Sequence, residues 1–179
     1  MADSATAWLR HGGHERVHAV VLDIDGILLR GREPVPGGAE LVSYLRKNKM
    51  PFSLLTNDPC HSPEQKSSFL RECGIEIGPN DIVSCGHGLS ELASTKSWNG
   101  SEVFVMGSLG TPCYAERAGL TVVRDTARLP TCCGVVIGEK EYDWCKTITD
   151  VFNFLIRHPR VPLVVPNPDE YFPSGAGTF

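Results

Sequence analysis

The sequence predicts an α/β protein built on a parallel sheet, and three observations carry that expectation. Short apolar runs with β-branched members recur along the chain, at 19–22, 102–106 and 133–137. Segments with apolar residues at helical spacing lie between and after them, as at 38–48 and 143–157. Helix starts and glycine stops punctuate the joins, so strands and helices alternate and right-handed crossovers follow.

In chain order, Ala19-Val20-Val21-Leu22 reads as a buried parallel strand ending directly before two aspartates. After a Gly/Pro-rich turn, Ala39, Leu41, Val42 and Leu45 predict a helix over 38–48, with Arg46, Lys47 and Lys49 near its negative end. PFSLL at 51–55 is a second strand, closing on Thr56-Asn57-Asp58. Ser62-Pro63-Glu64-Gln65 is a helix start, in which Ser62 can cap, Pro63 takes the first helical position and Gln65 completes a capping box. That helix runs to Cys73 and stops at Gly74. Beyond residue 82 the pattern predicts helices at 87–96, 109–118 and 143–157, and strands at 102–106, 120–124, 133–137 and 162–165. The segments SWNGSE (97–102) and TARLP (126–130) read as polar loops. Periodicity leaves open whether one sheet or two carries the strands.

With 179 residues and 41% hydrophobic composition, the chain can bury one substantial core or two small ones. Its net charge of −4 argues against a nucleic-acid or membrane surface, so an anion site here must use local donors and a metal. No stretch approaches the roughly 20 apolar residues of a membrane span. The N-terminal segment lacks a continuous apolar run, which argues against a signal peptide, and the expected compartment is cytoplasmic. Seven cysteines include no C-x-x-C pair. They read as thiols in a reducing compartment rather than as a zinc site, because ligand spacing is absent.

The chemistry concentrates at Asp23 and Asp25. Residues two apart on a strand project to one face, so both carboxylates point beyond its carboxyl end while Ile24 turns to the core. Ligands of parallel α/β sheets bind at that end. Gly26 then permits a sharp turn that can bring an N–H to an anion. Two carboxylates so close call for a cation, most naturally Mg²⁺ with its preference for oxygen ligands. Thr56 and Asn57, at the end of the second strand, offer a hydroxyl, an amide and a backbone N–H to phosphate oxygens. The blander accounts are a solvated aspartate pair in a turn and, for Thr56-Asn57, a turn before a helix.

These residues resemble a known family. LDIDGILLRG, followed about thirty residues on by LLTN, is similar to motifs I and II of the haloacid dehalogenase superfamily, and more narrowly to its class IIA phosphatases. The segments PVPGGAELVSYLRKN, VVIGEKEYDW and VVPNPDEYFPSGAGTF extend the likeness over most of 17–179. The resemblance implies a Rossmann-like core over 17–84, a C2-type α/β cap over 85–166 and a return segment over 167–179. It implies Asp23 as nucleophile and Asp25 as acid and then base, with Mg²⁺ held by the Asp23 carboxylate and the Asp25 backbone carbonyl. Thr56 and Asn57 would hold the transferring phosphate. Asn167 and Asp169 match a substrate-facing segment and read equally well as turn residues; for Glu170 and Tyr171 the turn is preferred. Glu139 reads as a solvated loop carboxylate in a region that varies with substrate.

Two further family motifs, a lysine and a Gly-Asp pair, have no counterpart before Phe179, and Lys140 and Lys146 are poor substitutes. The expectation is therefore a phosphatase of small phosphate monoesters, of the nucleotide or sugar phosphate class, weak or inactive in this form. An unpaired sheet edge beside Asp23 would favour homodimer formation or other self-association. A non-catalytic binding or regulatory protein is the second reading. A D-x-D metal site for a nucleotide-sugar diphosphate is the third.

Overall fold

Strand and helix alternate along the chain in a computed structural model that describes residues 5–10, 17–139 and 142–169. The described residues fall into two compact units. One comprises 5–10, 17–56, 63–83 and 169, and the other 57–62, 84–139 and 142–168.

In the first unit, helix α1 (Ala5–Arg10) packs Leu9 with Leu41 and Leu45 of a later helix. Strand β1 (Val20–Asp23) leads through a turn to a two-stranded antiparallel ribbon, β2 (Leu29–Arg30) and β3 (Glu33–Pro34), bent at Gly31. Helix α2 (Gly38–Lys47) buries Leu41, Val42 and Leu45, the spacing its sequence requires. Strand β4 (Phe52–Thr56) pairs in parallel with β1, Val20 opposite Phe52 and Asp23 opposite Leu55. Helix α3 (Pro63–Glu72) ends before Gly74, whose φ of +75° closes it. A 3-10 turn, Pro79–Asp81, precedes β5 (Ile82–Ser84), and the sheet order is β1-β4-β5.

The core of this unit gathers Ile24, Leu28, Leu54, Leu70, Ile75 and Ile82. Each such side chain, fully buried, contributes about 1.5–3 kcal/mol from apolar transfer alone. The first strand, read as buried, packs on one face only, and the sheet edge expected beside Asp23 is present among the described residues. β1 is an edge strand among the described residues, and Val21 on it is 66% exposed, as is Leu55 of β4 at 51%. One sheet face meets the core and the other does not.

The second unit carries a four-stranded parallel sheet. A 3-10 turn (Cys85–His87) opens into α4 (Gly88–Thr95), followed by β6 (Glu102–Met106), α5 (Tyr114–Arg117) and β7 (Thr121–Val123). A 3-10 segment (Thr126–Thr131), β8 (Val135–Ile137), α6 (Trp144–Arg157) and β9 (Leu163–Val164) complete it, with order β7-β6-β8-β9. β6 is buried on both faces: Val103 and Val105 enter a cluster with Leu89 and Tyr114, while Phe104 and Met106 enter one with Leu129, Val151 and Phe154.

The sequence reading needs correction at several elements here. The expected helix over 109–118 is reduced to four residues, because Gly110 takes a φ of +75° and Pro112 follows it. The TARLP segment, expected as loop, is 3-10 helical, capped where Asp125 accepts from the Ala127 amide at 3.0 Å. No described helix is long and apolar enough to cross a membrane.

Candidate active site

β1 delivers Asp23 and Asp25 to its carboxyl end, and the backbone fixes how they differ. Ile24 is fully buried, which anchors the strand end between them. Asp23 is exposed, and its Oδ1 accepts from the Ile24 amide at 2.8 Å. Gly26 takes a φ of +94°, a conformation that asks for glycine even though a Cβ would meet nothing within 4 Å. Its amide donates to the Leu29 carbonyl at 2.6 Å. That N–H closes the turn.

Asp25 is the organised member of the pair. Its Oδ2 accepts from Lys66 Nζ at 2.9 Å and from the Thr56 hydroxyl at 3.2 Å. Thr56 comes from the end of β4 and is 2% exposed. Lys66 comes from α3, where Pro63, Lys66, Ser67 and Leu70 form the buried stripe. The Lys66 side chain is 4% exposed against 34% for Asp25. An ammonium so buried requires a counter-charge, and the Asp25 carboxylate supplies one. Sequence reasoning missed Lys66. The signal was available: a lysine at the i+3 position from Pro63 and i−4 from Leu70 lies on the face that must be buried.

The remaining candidates are placed as follows. Asn57 is exposed and lies in the second unit, where its carbonyl accepts from the Cys85 thiol at 3.1 Å. Asn167 donates through Nδ2 to Glu139 Oε1 at 3.4 Å in the same unit. Asp169 is exposed and belongs to the first unit. Glu170, Tyr171 and Lys140 lie outside the described residues. Lys146 forms a surface pair with Asp150 at 2.8 Å.

A second polar cluster lies wholly in the second unit. His61 Nδ1 meets Asp58 Oδ2 at 2.7 Å, the Cys60 amide donates to Asp58 Oδ1 at 2.7 Å, and the Cys60 thiol donates to Glu139 Oε2 at 3.2 Å. Glu139, expected as a solvated loop carboxylate, is instead half-buried and held at both oxygens. Nearby, Tyr114 donates to the His61 carbonyl at 3.1 Å, and burial, with the Asp58 charge adding, pushes its phenol up to about 12. Burial first, then the charges of Asp58 and Glu139, also push the Cys85 thiol up, against a lowering hydrogen bond from Ser84.

The donor set at the end of β1 suits a hard cation. Lys66 pairs with the Asp25 side chain, and the exposed Asp23 carboxylate is an anionic oxygen donor of the kind a metal could use. A backbone carbonyl at Asp25 would be a neutral oxygen ligand of the kind such ions accept.

Comparison with known proteins converges on one family. Residues 20–121, more than half of the chain, match the haloacid dehalogenase-like hydrolases. The chain belongs to that family. Asp23, Asp25, Thr56 and Lys66 fall inside the matched span, whereas Asn167 and Asp169 fall outside it. Among curated relatives, an acid sugar phosphatase of Staphylococcus epidermidis is 29% identical over 107 residues, which covers 60% of this chain and 41% of the relative. The chain therefore spans about two fifths of the length of that relative.

Solved structures agree on the fold of this family member. The p-nitrophenyl phosphatase from Archaeoglobus fulgidus superposes with a TM-score of 0.74 at 24% identity, over 90% of this chain and 59% of that one. A glycerol phosphate phosphatase from Mycobacterium tuberculosis, in complex with magnesium, gives 0.76 at 22% identity over 91% and 48%. NagD from E. coli K-12 gives 0.69 at 20% over 89% and 60%. At these identities the likeness establishes a shared α/β fold.

Proposed function

We propose that this chain carries the phosphoryl-transfer site of a phosphatase acting on small phosphate monoesters, sugar or nucleotide phosphates, with Asp23 as nucleophile. One observation carries the reading: an exposed carboxylate at the end of β1, two residues from a carboxylate whose Oδ2 is clamped by Lys66 and Thr56. The reading assigns to Asp25 Oδ1, the oxygen not bonded by Lys66 or Thr56, the proton exchanged with the leaving group.

In the first half-reaction an Asp23 carboxylate oxygen attacks phosphorus and the ester P–O bond breaks. The leaving alkoxide takes the proton from Asp25 Oδ1. In the second, water attacks phosphorus, its proton passes to Asp25, and the bond between phosphorus and Asp23 breaks to release inorganic phosphate. Lys66 places a fixed positive charge at 2.9 Å from Asp25, which offsets one of the negative charges that would meet the incoming phosphate dianion. The Asp23 carboxylate and the Asp25 main-chain carbonyl would hold Mg²⁺, which would supply the remaining charge neutralisation. Thr56, Asn57 and the turn at Gly26 are assigned to the phosphate oxygens, and Asn167 and Asp169 to the rest of the substrate.

The relatives named as sugar phosphatases favour the sugar phosphate class. The same reading assigns 17–84 to the core, 85–166 to a cap and 167–179 to the return between them. Its test is phosphate release from p-nitrophenyl phosphate by the purified chain with and without Mg²⁺. Mg²⁺-dependent release that is abolished in Asp23→Asn supports the reading; release indifferent to either change overturns it.

A further inference from the structure

The Asp58, Cys60 and Glu139 cluster has no part in the chemistry above, and its composition is that of a metal site. One carboxylate oxygen from each acid and the Cys60 Sγ all lie within 4.8 Å of one another. Four-coordinate Zn²⁺, with bonds of about 2.0–2.3 Å, separates its ligand atoms by about 3.3–3.8 Å. The Cys60 Sγ to Glu139 Oε2 distance is 3.2 Å, so the pair already stands near that spacing.

The chain builds this cluster from two segments far apart in sequence. The Cys60 carbonyl accepts from the Gly110 amide at 3.0 Å, and at Gly110 a side chain would press on the Ser62 amide at 3.1 Å. Glu139 is held by a reciprocal pair of backbone bonds with Ser108, at 2.7 and 3.0 Å. Gly138 permits that approach, because a Cβ there would lie 2.2 Å from the Ser108 carbonyl oxygen. The Asp58 carboxylate is oriented on one oxygen by the Cys60 amide and on the other by His61 Nδ1. Ligating carboxylates are commonly held in place by such outer-shell hydrogen bonds. Cys60 is 6% exposed, while the Asp58 and His61 side chains are 19% and 27% exposed, so an ion has a way in.

We propose that Asp58, Cys60 and Glu139 bind a borderline divalent cation within the second unit, Zn²⁺ being the natural occupant. A thiolate among the ligands selects such an ion over Mg²⁺ or Ca²⁺, which take oxygen alone. On binding, the Cys60 S–H bond to Glu139 is replaced by sulfur–metal and oxygen–metal bonds, and the thiol proton leaves to solvent. The ion would tie the segment after β4 to the segment after β8 within the second unit. Sequence spacing concealed this arrangement, since the two ends of the Cys60–Glu139 contact are 79 residues apart.

The test is a titration of the full 179-residue chain with Co²⁺, followed by the thiolate-to-cobalt absorption band. The expected result is saturation at one equivalent, displacement by Zn²⁺ and none by millimolar Mg²⁺. Cys60→Ser should abolish the band, and Glu139→Gln should weaken binding at least as much as His61→Ala, for which about 10–100-fold is expected. Asp23→Asn should leave the band unchanged, which separates this site from the proposed phosphatase site. Cys132→Ser should also leave it unchanged. No saturable band, or a band that survives Glu139→Gln and Cys60→Ser at full affinity, overturns the proposal. If Cys60→Ser does not fold, the Glu139→Gln and His61→Ala affinities decide.

Discussion

Asp25 and Lys66 form an unequal pair, and the inequality can be measured. The Lys66 side chain is 4% exposed and that of Asp25 is 34% exposed. Asp25→Asn removes a negative charge 2.9 Å from a buried ammonium and leaves shape almost intact. Loss of one counter-charge beside a buried ion is expected to cost up to about 3 kcal/mol, the lower end of the range for broken buried pairs. Lys66→Met replaces the ammonium by an apolar chain of similar length in the buried stripe of α3. The Asp25 carboxylate then keeps the Thr56 hydroxyl and gains water, so about 1 kcal/mol is expected. The double variant should be more stable than Asp25→Asn alone, giving a coupling energy of up to about 2 kcal/mol. Urea unfolding followed by circular dichroism and tryptophan fluorescence reads all four corners. With a slope of about 2 kcal/mol/M, Asp25→Asn should lower the midpoint by up to about 1.5 M. Equal losses from the two single variants, or simple additivity in the double, would refute the claim that the ammonium depends on Asp25.

Other expectations follow from packing and titration. Leu54→Ala, at a fully buried position of β4, should cost about 2–5 kcal/mol by the same unfolding assay. Gly26→Ala should cost about 1–2 kcal/mol from its φ of +94° alone, because the space for a methyl group is open. Gly138→Ala should do worse than Gly26→Ala, since its Cβ would collide with the Ser108 carbonyl. Tyr114 should mark alkaline stability. Its phenol is raised in the folded state, so its contribution is fully present below pH 10 and is lost as pH rises through about 12. Tyr114→Phe should flatten the pH dependence of the urea midpoint across that window.

The second half of the chain was the more legible in sequence where burial is two-sided. EVFVM reads as a strand over 102–106 and is one over Glu102–Met106, because both faces of β6 pack into clusters. The alternation around Ile24 was equally plain, and Ile24 is fully buried. Two-residue strands such as Leu29–Arg30 carry too few side chains to show a period. The segment at 126–130 looked polar, yet Asp125 before it was a cap signal. At the candidate site, Asp23, Asp25 and Thr56 declared themselves through strand ends. What stayed hidden was pairing over distance: Lys66 with Asp25, and Cys60 with Glu139, meet only through tertiary packing.

The central claim, that Asp23 is a phosphoryl acceptor, is tested most directly by trapping the acyl phosphate. The chain is mixed with p-nitrophenyl phosphate and Mg²⁺, quenched, and reduced with borohydride, which converts an aspartyl phosphate to homoserine. Peptide mass spectrometry should then find homoserine at position 23, in amounts that depend on Mg²⁺ and vanish in Asp23→Asn. Phosphate release with Asp23 unmodified, or homoserine at another carboxylate, would contradict the claim.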